Sequence, residues 1–130
     1  MTKVTGIDHI YIAVSDLDRS EIFYDKVLLN VLGFRKNKFI LDNDPHVQYF
    51  NRVFGFVLRP SRARSAHDPY SPGLHHFCLR VDTIEDVISA STQLRSAGID
   101  SSEAKNYPEY ASTNYRQERR EHYDNWEQAR

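Results

Sequence analysis

Gly6-Ile7-Asp8-His9-Ile10-Tyr11-Ile12-Ala13-Val14-Ser15-Asp16-Leu17-Asp18 is the stretch from which the fold is read. Ile10, Ile12 and Val14 fall on one side of a strand, and His9, Tyr11 and Ala13 fall on the other. That alternation is the signature of a strand buried on one face only. Ser15 then stands as a helix N-cap candidate, with Asp18 three residues on as a weakened capping box. Ile22, Phe23, Val27, Leu28, Val31 and Leu32 recur at helical spacing, and Gly33 is a natural stop. The order is strand, cap, helix, glycine.

The same order returns in the second half. In Leu74-His75-His76-Phe77-Cys78-Leu79-Arg80-Val81, one face carries Phe77, Leu79 and Val81 and the other His76, Cys78 and Arg80. Asp82 is placed to cap a helix, with Glu85 at capping-box spacing. Ile84, Val87, Ile88, Ser91 and Leu94 predict its buried stripe, and Gly98 ends it. Aligning His9 with His76 also aligns Val14 with Val81 and Leu17 with Ile84. Few identities survive, but the repeated pattern is an internal duplication.

Between the two halves, 35–41 predicts a strand, Asp42-Asn43-Asp44-Pro45 a turn, and 46–51 and 53–59 two further strands. Residues 60–73, rich in Pro, Ser, Arg and Asp, form a linker. Arg59, Arg62 and Arg64 are candidates for an anion contact, against the plainer expectation of a solvated loop.

The chain has 130 residues, 40% of them hydrophobic, 27% charged and 12% aromatic, which suits one compact soluble domain. Seventeen basic residues balance eighteen acidic ones, so the basic excess of a nucleic-acid surface is missing. No apolar run approaches the roughly 20 residues of a membrane span. Cys78 is the one cysteine, so neither an intrachain disulfide nor a multi-cysteine zinc site can form. A reducing cytoplasm is the expected setting. The six histidines, His9, His46, His67, His75, His76 and His122, are the main chemical resource.

The sequence resembles the vicinal oxygen chelate superfamily, which includes glyoxalases, extradiol dioxygenases and bleomycin- or fosfomycin-resistance proteins. Gly6-Ile7-Asp8-His9-Ile10, Val14-Ser15-Asp16-Leu17-Asp18-Arg19-Ser20, Phe23-Tyr24 and Leu32-Gly33-Phe34 carry the resemblance in the first half. Pro72-Gly73-Leu74-His75-His76-Phe77 and Arg80-Val81-Asp82 carry it in the second. The resemblance implies an α+β fold of two βαβββ modules curling into a half-open barrel around a cavity. The expected domain spans 5–110, as modules 5–60 and 73–110 joined by the linker 60–73. In the resembling enzymes a divalent metal (Fe, Mn, Ni or Zn) sits between the modules. The implied ligands here are His9 and His76, with His75 on the opposite side of its strand. Imidazole ligands suit such metals, and open positions let two substrate oxygens bind together.

The pattern is incomplete. The last strand of the first module should present a ligand near Val57 or Arg59, and neither side chain suits a cation. Gln48, His46 and His67 are the substitutes. After Glu103 to Tyr107, readable as a strand, Pro108 leads directly into a polar tail. The last two strands of the second module are expected to be missing between about Tyr110 and Tyr115, leaving an open sheet edge. Residues 111–130 predict a helical tail, with Tyr115, Arg119, His122, Tyr123 and Trp126 near one face.

Two functions from different classes follow. One is a divalent-metal-dependent lyase, isomerase or dioxygenase acting on a small oxygenated molecule. In that enzyme Tyr11 and Arg80 are catalytic candidates, Tyr11 donating to a substrate oxygen and Arg80 orienting a carboxylate. The other is a metal-free protein of the bleomycin-resistance type that sequesters a small molecule on aromatic surface, or a degenerate inactive member. Eight tyrosines and seven phenylalanines would supply stacking area. Cys78 is expected to pack rather than react. The expected partners are a small-molecule ligand and a second copy in a homodimer, with no nucleic acid and no membrane.

Overall fold

The computed structural model describes residues 1–104 and the backbone of His122–Tyr123. It divides into two compact units, one spanning Met1–His67 and one beginning at Asp68. No helix among the described residues is long and apolar enough to cross a membrane.

In the first unit β1 (His9–Val14) leads into α1 (Leu17–Tyr24), followed by β2 (Arg35–Leu41), β3 (Asp44–Phe50) and β4 (Gly55–Pro60). The sheet order is β1-β4-β3-β2, with β1 parallel to β4 and the other pairs antiparallel. This is one complete βαβββ module. The strand alternation holds: Ile12 and Val14 are buried, while His9, Tyr11 and Ala13 stay exposed on the other face.

Apolar side chains of two strands cover the helix side of the sheet beside those of β1. Val47, Tyr49, Phe56 and Leu58 are all at most 1% exposed, and Tyr24 from α1 packs its ring against Phe56 and Tyr49 at 4.9 and 6.3 Å between centroids. Burying a side chain of this size is worth roughly 1.5–3 kcal/mol. The helix cap differs from expectation. Asp16, not Ser15, is the N-cap, its Oδ1 accepting from the Arg19 amide at 3.0 Å. Ser15 Oγ instead accepts from the Arg19 guanidinium. The buried stripe also shifts, since Ile22 is 62% exposed while Ser20 and Tyr24 turn inward. Beyond Tyr24 the helix continues through wider turns over Asp25–Val31, where Leu32 N–H donates to the Val27 carbonyl five residues back.

Charged groups complete this face. Lys36 Nζ lies 2.5 Å from Glu21 and 2.9 Å from Asp25, Lys38 Nζ lies 2.9 Å from Glu21, and the Tyr49 hydroxyl donates to Asp25 at 2.7 Å. Lysines on the helix side of the edge strand β2 both anchor α1 and discourage edge pairing.

The β2–β3 hairpin turns on Asp42 and Asn43, both left-handed at φ 52° and 64°. Two consecutive positive φ values define the turn type that matches strand twist. Asn43→Val is expected to cost about 1–2 kcal/mol, because a β-branched residue resists that region, and Asn43→Gly is expected to be tolerated. Chemical denaturation of the two variants checks this.

The second unit departs further from expectation. Of the strand predicted over 74–81, only β5 (Leu79–Arg80) is paired, with β6 (His122–Tyr123). A strand persists only beside a neighbour. In the first unit, β1 is held over its full length by β4, the module's last strand. Among the described residues the second module shows no counterpart of β4, and 74–78 are in no strand.

α2 (Ile84–Ser96) forms as predicted, but its cap lies one residue later than Asp82. Thr83 Oγ1 accepts from the Asp86 amide at 3.1 Å, and Asp86 returns the bond to the Thr83 amide at 3.2 Å. Val87, Ala90, Ser91 and Leu94 are buried as a stripe, whereas Ile84 and Ile88 are exposed. Gly98 at φ 80° closes the helix, with Ile99 N–H donating to the Leu94 carbonyl and Gly98 N–H to that of Arg95. Glu103 and Ala104 lie in no strand, and 105–107 fall outside the described residues. So does the expected helical tail, except at His122–Tyr123, which are strand rather than helix.

Candidate functional site

The face of the first sheet away from α1 carries a cavity of about 450 Å³. Cross-strand register builds its floor. Tyr11 on β1 pairs with Val57 on β4, Val57 with Gln48 on β3, and Gln48 with Asn37 on β2, and all four line the cavity. One step along, His9 pairs with Gly55 and Gly55 with Phe50, which line it too. A methyl group on Gly55 would sit 3.5 Å from His9 Cβ and 3.8 Å from Gln48 Nε2, so these two side chains meet over the glycine.

The β3–β4 loop forms the rim beside His9. Gly55 N–H donates to the Asp8 carbonyl at 2.7 Å, which brings the loop against the start of β1. Asn51 shapes the loop, its Oδ1 accepting from the Val53 and Phe54 amides at 2.8 and 3.1 Å. Asn51, Arg52, Val53 and Phe54 all line the cavity.

His9 is the reactive group of this surface. Its Nδ1 lies 2.7 Å from Asp8 Oδ2. An ionised carboxylate only accepts, so Nδ1 carries a proton, and in the neutral ring the lone pair is on Nε2. Nε2 is therefore the atom able to accept from a ligand hydroxyl or to ligate a metal. Tyr11 stands with its ring 5.4 Å from that of His9, in edge contact. Its phenol and the amides of Asn37 and Gln48 supply neutral donors and acceptors, and Phe50 and Phe54 supply apolar wall.

The other sequence candidates occupy different environments. Val57 is part of the floor and contributes no donor. Arg59 is paired with Asp44, whose Oδ2 also accepts from Arg62 at 2.9 Å. The two arginines expected to hold an anion or wave in solvent thus share a carboxylate of the chain itself. His46 is 1% exposed, with Nδ1 2.9 Å from the Asp44 carbonyl and its ring stacked on Phe39 at 4.9 Å. It lines no part of the cavity and serves packing. His67 is exposed near the end of the first unit.

In the second unit His76 and Arg80 are exposed, and Arg80 pairs in register with His122. The expectation that His75 points away from His76 does not hold. Their Nδ1 atoms are 2.6 Å apart and their rings in edge contact, because this segment is not a strand and its side chains need not alternate.

A divalent centre asks for several converging donors. Among the described residues no group of three His, Cys, Asp or Glu side chains does so. The cavity offers one imidazole, one carboxylate already hydrogen-bonded to it, and neutral amides. By its donor chemistry, this set does not by itself fit a bound divalent ion.

Residues 6–108 match the model of the Glyoxalase/Bleomycin resistance protein/Dioxygenase superfamily. The chain belongs to this superfamily. Solved relatives share the glyoxalase-like fold. A glyoxylase/bleomycin resistance protein/dioxygenase domain from Frankia sp. EAN1pec superposes with a TM-score of 0.66 at 22% identity, covering 82% of this chain and 84% of that one. A lactoylglutathione lyase from Agrobacterium tumefaciens gives 0.54 at 21% identity, over 82% and 79%. A mutant of the fosfomycin resistance protein FosX from Listeria monocytogenes, complexed with Mn(II) and 1S,2S-dihydroxypropylphosphonic acid, gives 0.54 at 11% identity, over 80% and 78%. At these identities the likeness is one of fold. A search of the curated proteins finds no match. In this glyoxalase-like chain, the first module presents the sheet face on which the cavity lies. Gln48, Asn37 and Arg52 are the cavity residues that sequence reading under-weighted. The strand alternation of β2 and β3 was the available signal for the first two.

Proposed function

We propose that this protein binds a small oxygenated molecule on the open sheet face of its first module, through neutral hydrogen-bonding groups and His9. The observation that carries the reading is the row Asn37, Gln48, Val57 and Tyr11 across four strands. It is a floor of two amides, one methyl-bearing side chain and one phenol, closed at its end by His9 and Phe50. Such a floor recognises hydroxyl and carbonyl oxygens on a compact, partly apolar body. This is the metal-free sequestration expected of the bleomycin-resistance type.

A second reading keeps the enzyme. His9 held through Nδ1 by a carboxylate is the arrangement that orients a metal-ligating imidazole, and a fold neighbour carries Mn(II). A metal-dependent lyase, isomerase or dioxygenase would take His9 and His76 as ligands for Fe, Mn, Ni or Zn, with Tyr11 and Arg80 on the substrate.

Gln48→Leu separates binding from its absence. It removes the central amide at nearly constant volume and is expected to weaken any cavity ligand about tenfold, since an unpaired ligand oxygen loses its partner. Calorimetric titration of wild type and variant reads it, and an unchanged affinity would overturn the assignment to this cavity. Elemental analysis of untagged protein decides between the readings. The binding reading expects well under one equivalent of metal. A stoichiometric metal lost in both His9→Ala and His76→Ala would replace it with the enzyme.

A further inference from the structure

The proposed cavity carries a charge asymmetry that its neutral floor does not require. Of its two formally charged groups besides His9, Asp8 accepts from the His9 ring at 2.7 Å. Arg52 has no hydrogen-bond or ion-pair partner among the described residues, although other arginines of the unit, Arg59 and Arg62, are paired with a carboxylate. A second guanidinium flanks the same wall. Arg35 lies over the Phe50 ring at 5.7 Å to its centroid and likewise makes no ion pair among the described residues. Phe50 pairs in register with Arg35 and begins the loop that carries Arg52. Among the described residues two guanidinium groups without an ion pair therefore border an apolar cavity wall, against the single carboxylate of Asp8.

The loop fixes the backbone on either side of Arg52 before any ligand arrives. Asn51 N–H donates to the Phe54 carbonyl at 3.2 Å, and Asn51 Oδ1 takes the amides of Val53 and Phe54. Ordering entropy is thus already spent on the backbone of this rim, which leaves more of the contact energy for binding. The formal net charge of the chain is −1, so no general field of the protein draws anions in. The attraction is local.

From this we infer that the ligand of the cavity is an anion: a small hydroxylated carboxylate whose charged end is forked by Arg52, whose hydroxyl donates to His9 Nε2, and whose body lies on Phe50. The inference rests on the binding reading above and narrows it to a charge class. A planar guanidinium matches two carboxylate oxygens where an ammonium offers a single point charge. With Nδ1 donating to Asp8, the neutral ring offers Nε2 as an acceptor, which suits a ligand hydroxyl.

Matched probe pairs that differ only in charge test it: 2-hydroxybenzoate against 2-hydroxybenzamide, and mandelate against mandelamide, titrated calorimetrically into the full chain. The carboxylate of at least one pair is expected to bind about tenfold more tightly than its amide at low salt, the preference shrinking as salt is raised. Arg52→Gln should bring carboxylate and amide to the same affinity, and Arg52→Lys should keep part of the preference. The Arg52 side chain makes none of the loop's hydrogen bonds, so both variants are expected to fold, which circular dichroism confirms. Carboxylate and amide binding equally in the wild type, or a preference that persists in Arg52→Gln, overturns the inference and leaves the binding reading standing. No binding by any member of either pair overturns both.

Discussion

Leu58→Ala is expected to destabilise the first unit by about 3 kcal/mol. Leu58 is 0% exposed and sits at the centre of the helix-facing layer, in register with Val47 on β3 and Ile12 on β1, both buried. Removing the isobutyl end forfeits its transfer energy. It also leaves a cavity that sheet backbone on two sides cannot collapse to fill. The consequence should reach the opposite face. β4 supplies both Leu58 to the core and Val57 to the cavity floor, so loosening it blurs the spacing between Tyr11 and Gln48. Urea denaturation followed by far-ultraviolet circular dichroism reads the stability change. A loss of less than about 1 kcal/mol would mean that this layer is not the packed core described.

The second large effect is a loss of stability in alkali. Burial and the hydrogen bond to Asp25 both raise the Tyr49 hydroxyl above its ordinary value of 10.0. The folded state thus retains a proton that the unfolded chain releases. Sign follows from linkage: the contribution is intact below about pH 10 and is lost as pH rises above it, at about 1.4 kcal/mol per unit for one proton. Lys36 acts in the same direction. Burial alone would lower it, but its bonds to Glu21 and Asp25 prevail and raise it above 10.5, so its contribution also fades at high pH. Glu21 sets the acid limit. Burial raises it and the Lys36 and Lys38 contacts more than offset that, so its stabilisation holds above pH 4.5 and falls below. The contribution of this cluster to stability should therefore be flat from about pH 5 to about pH 10 and fall on both sides. Tyr49→Phe is expected to cost about 1 kcal/mol at neutral pH through the lost Asp25 bond, and to reduce the alkaline slope. Denaturation midpoints across pH test it, and an alkaline slope unchanged in Tyr49→Phe would remove the tyrosine from the account.

These effects arise where sequence reading was stronger and weaker respectively. That Ile12 is core follows from alternation within β1, and no partner need be known; β4 is buried on both faces over Gly55–Leu58, so alternation does not single out Leu58. The ionic cluster was invisible. Glu21 and Asp25 belong to a helix and Lys36 and Lys38 to a strand, and nothing in their spacing says that the two elements lie against each other. The helix caps show the limit of local reading on a finer scale. Ser15 and Asp82 have capping chemistry, yet Asp16 and Thr83 hold the position, because the turn of the preceding chain decides which side chain reaches the third amide.

The candidate site divides the same way. His9 and Tyr11 were legible as cavity-facing from the parity of a single strand. Gln48 stood among several substitutes, and only the β1–β4–β3 register singles it out beside His9 over Gly55. His46 shares its strand face with Gln48 but lies buried against Phe39, a distinction the alternation cannot express.

Periodicity, glycine stops and the repeat of one pattern in two halves are properties of neighbouring residues. The amino-acid order alone therefore determined the superfamily, the faces of the first strand and the second helix with its glycine stop. Register, partner strands and burial depend on residues distant in the chain. The tertiary structure alone decided that 74–78 are in no strand, that Arg59 and Arg62 share Asp44, and that Arg52 lines the cavity without an ion pair among the described residues.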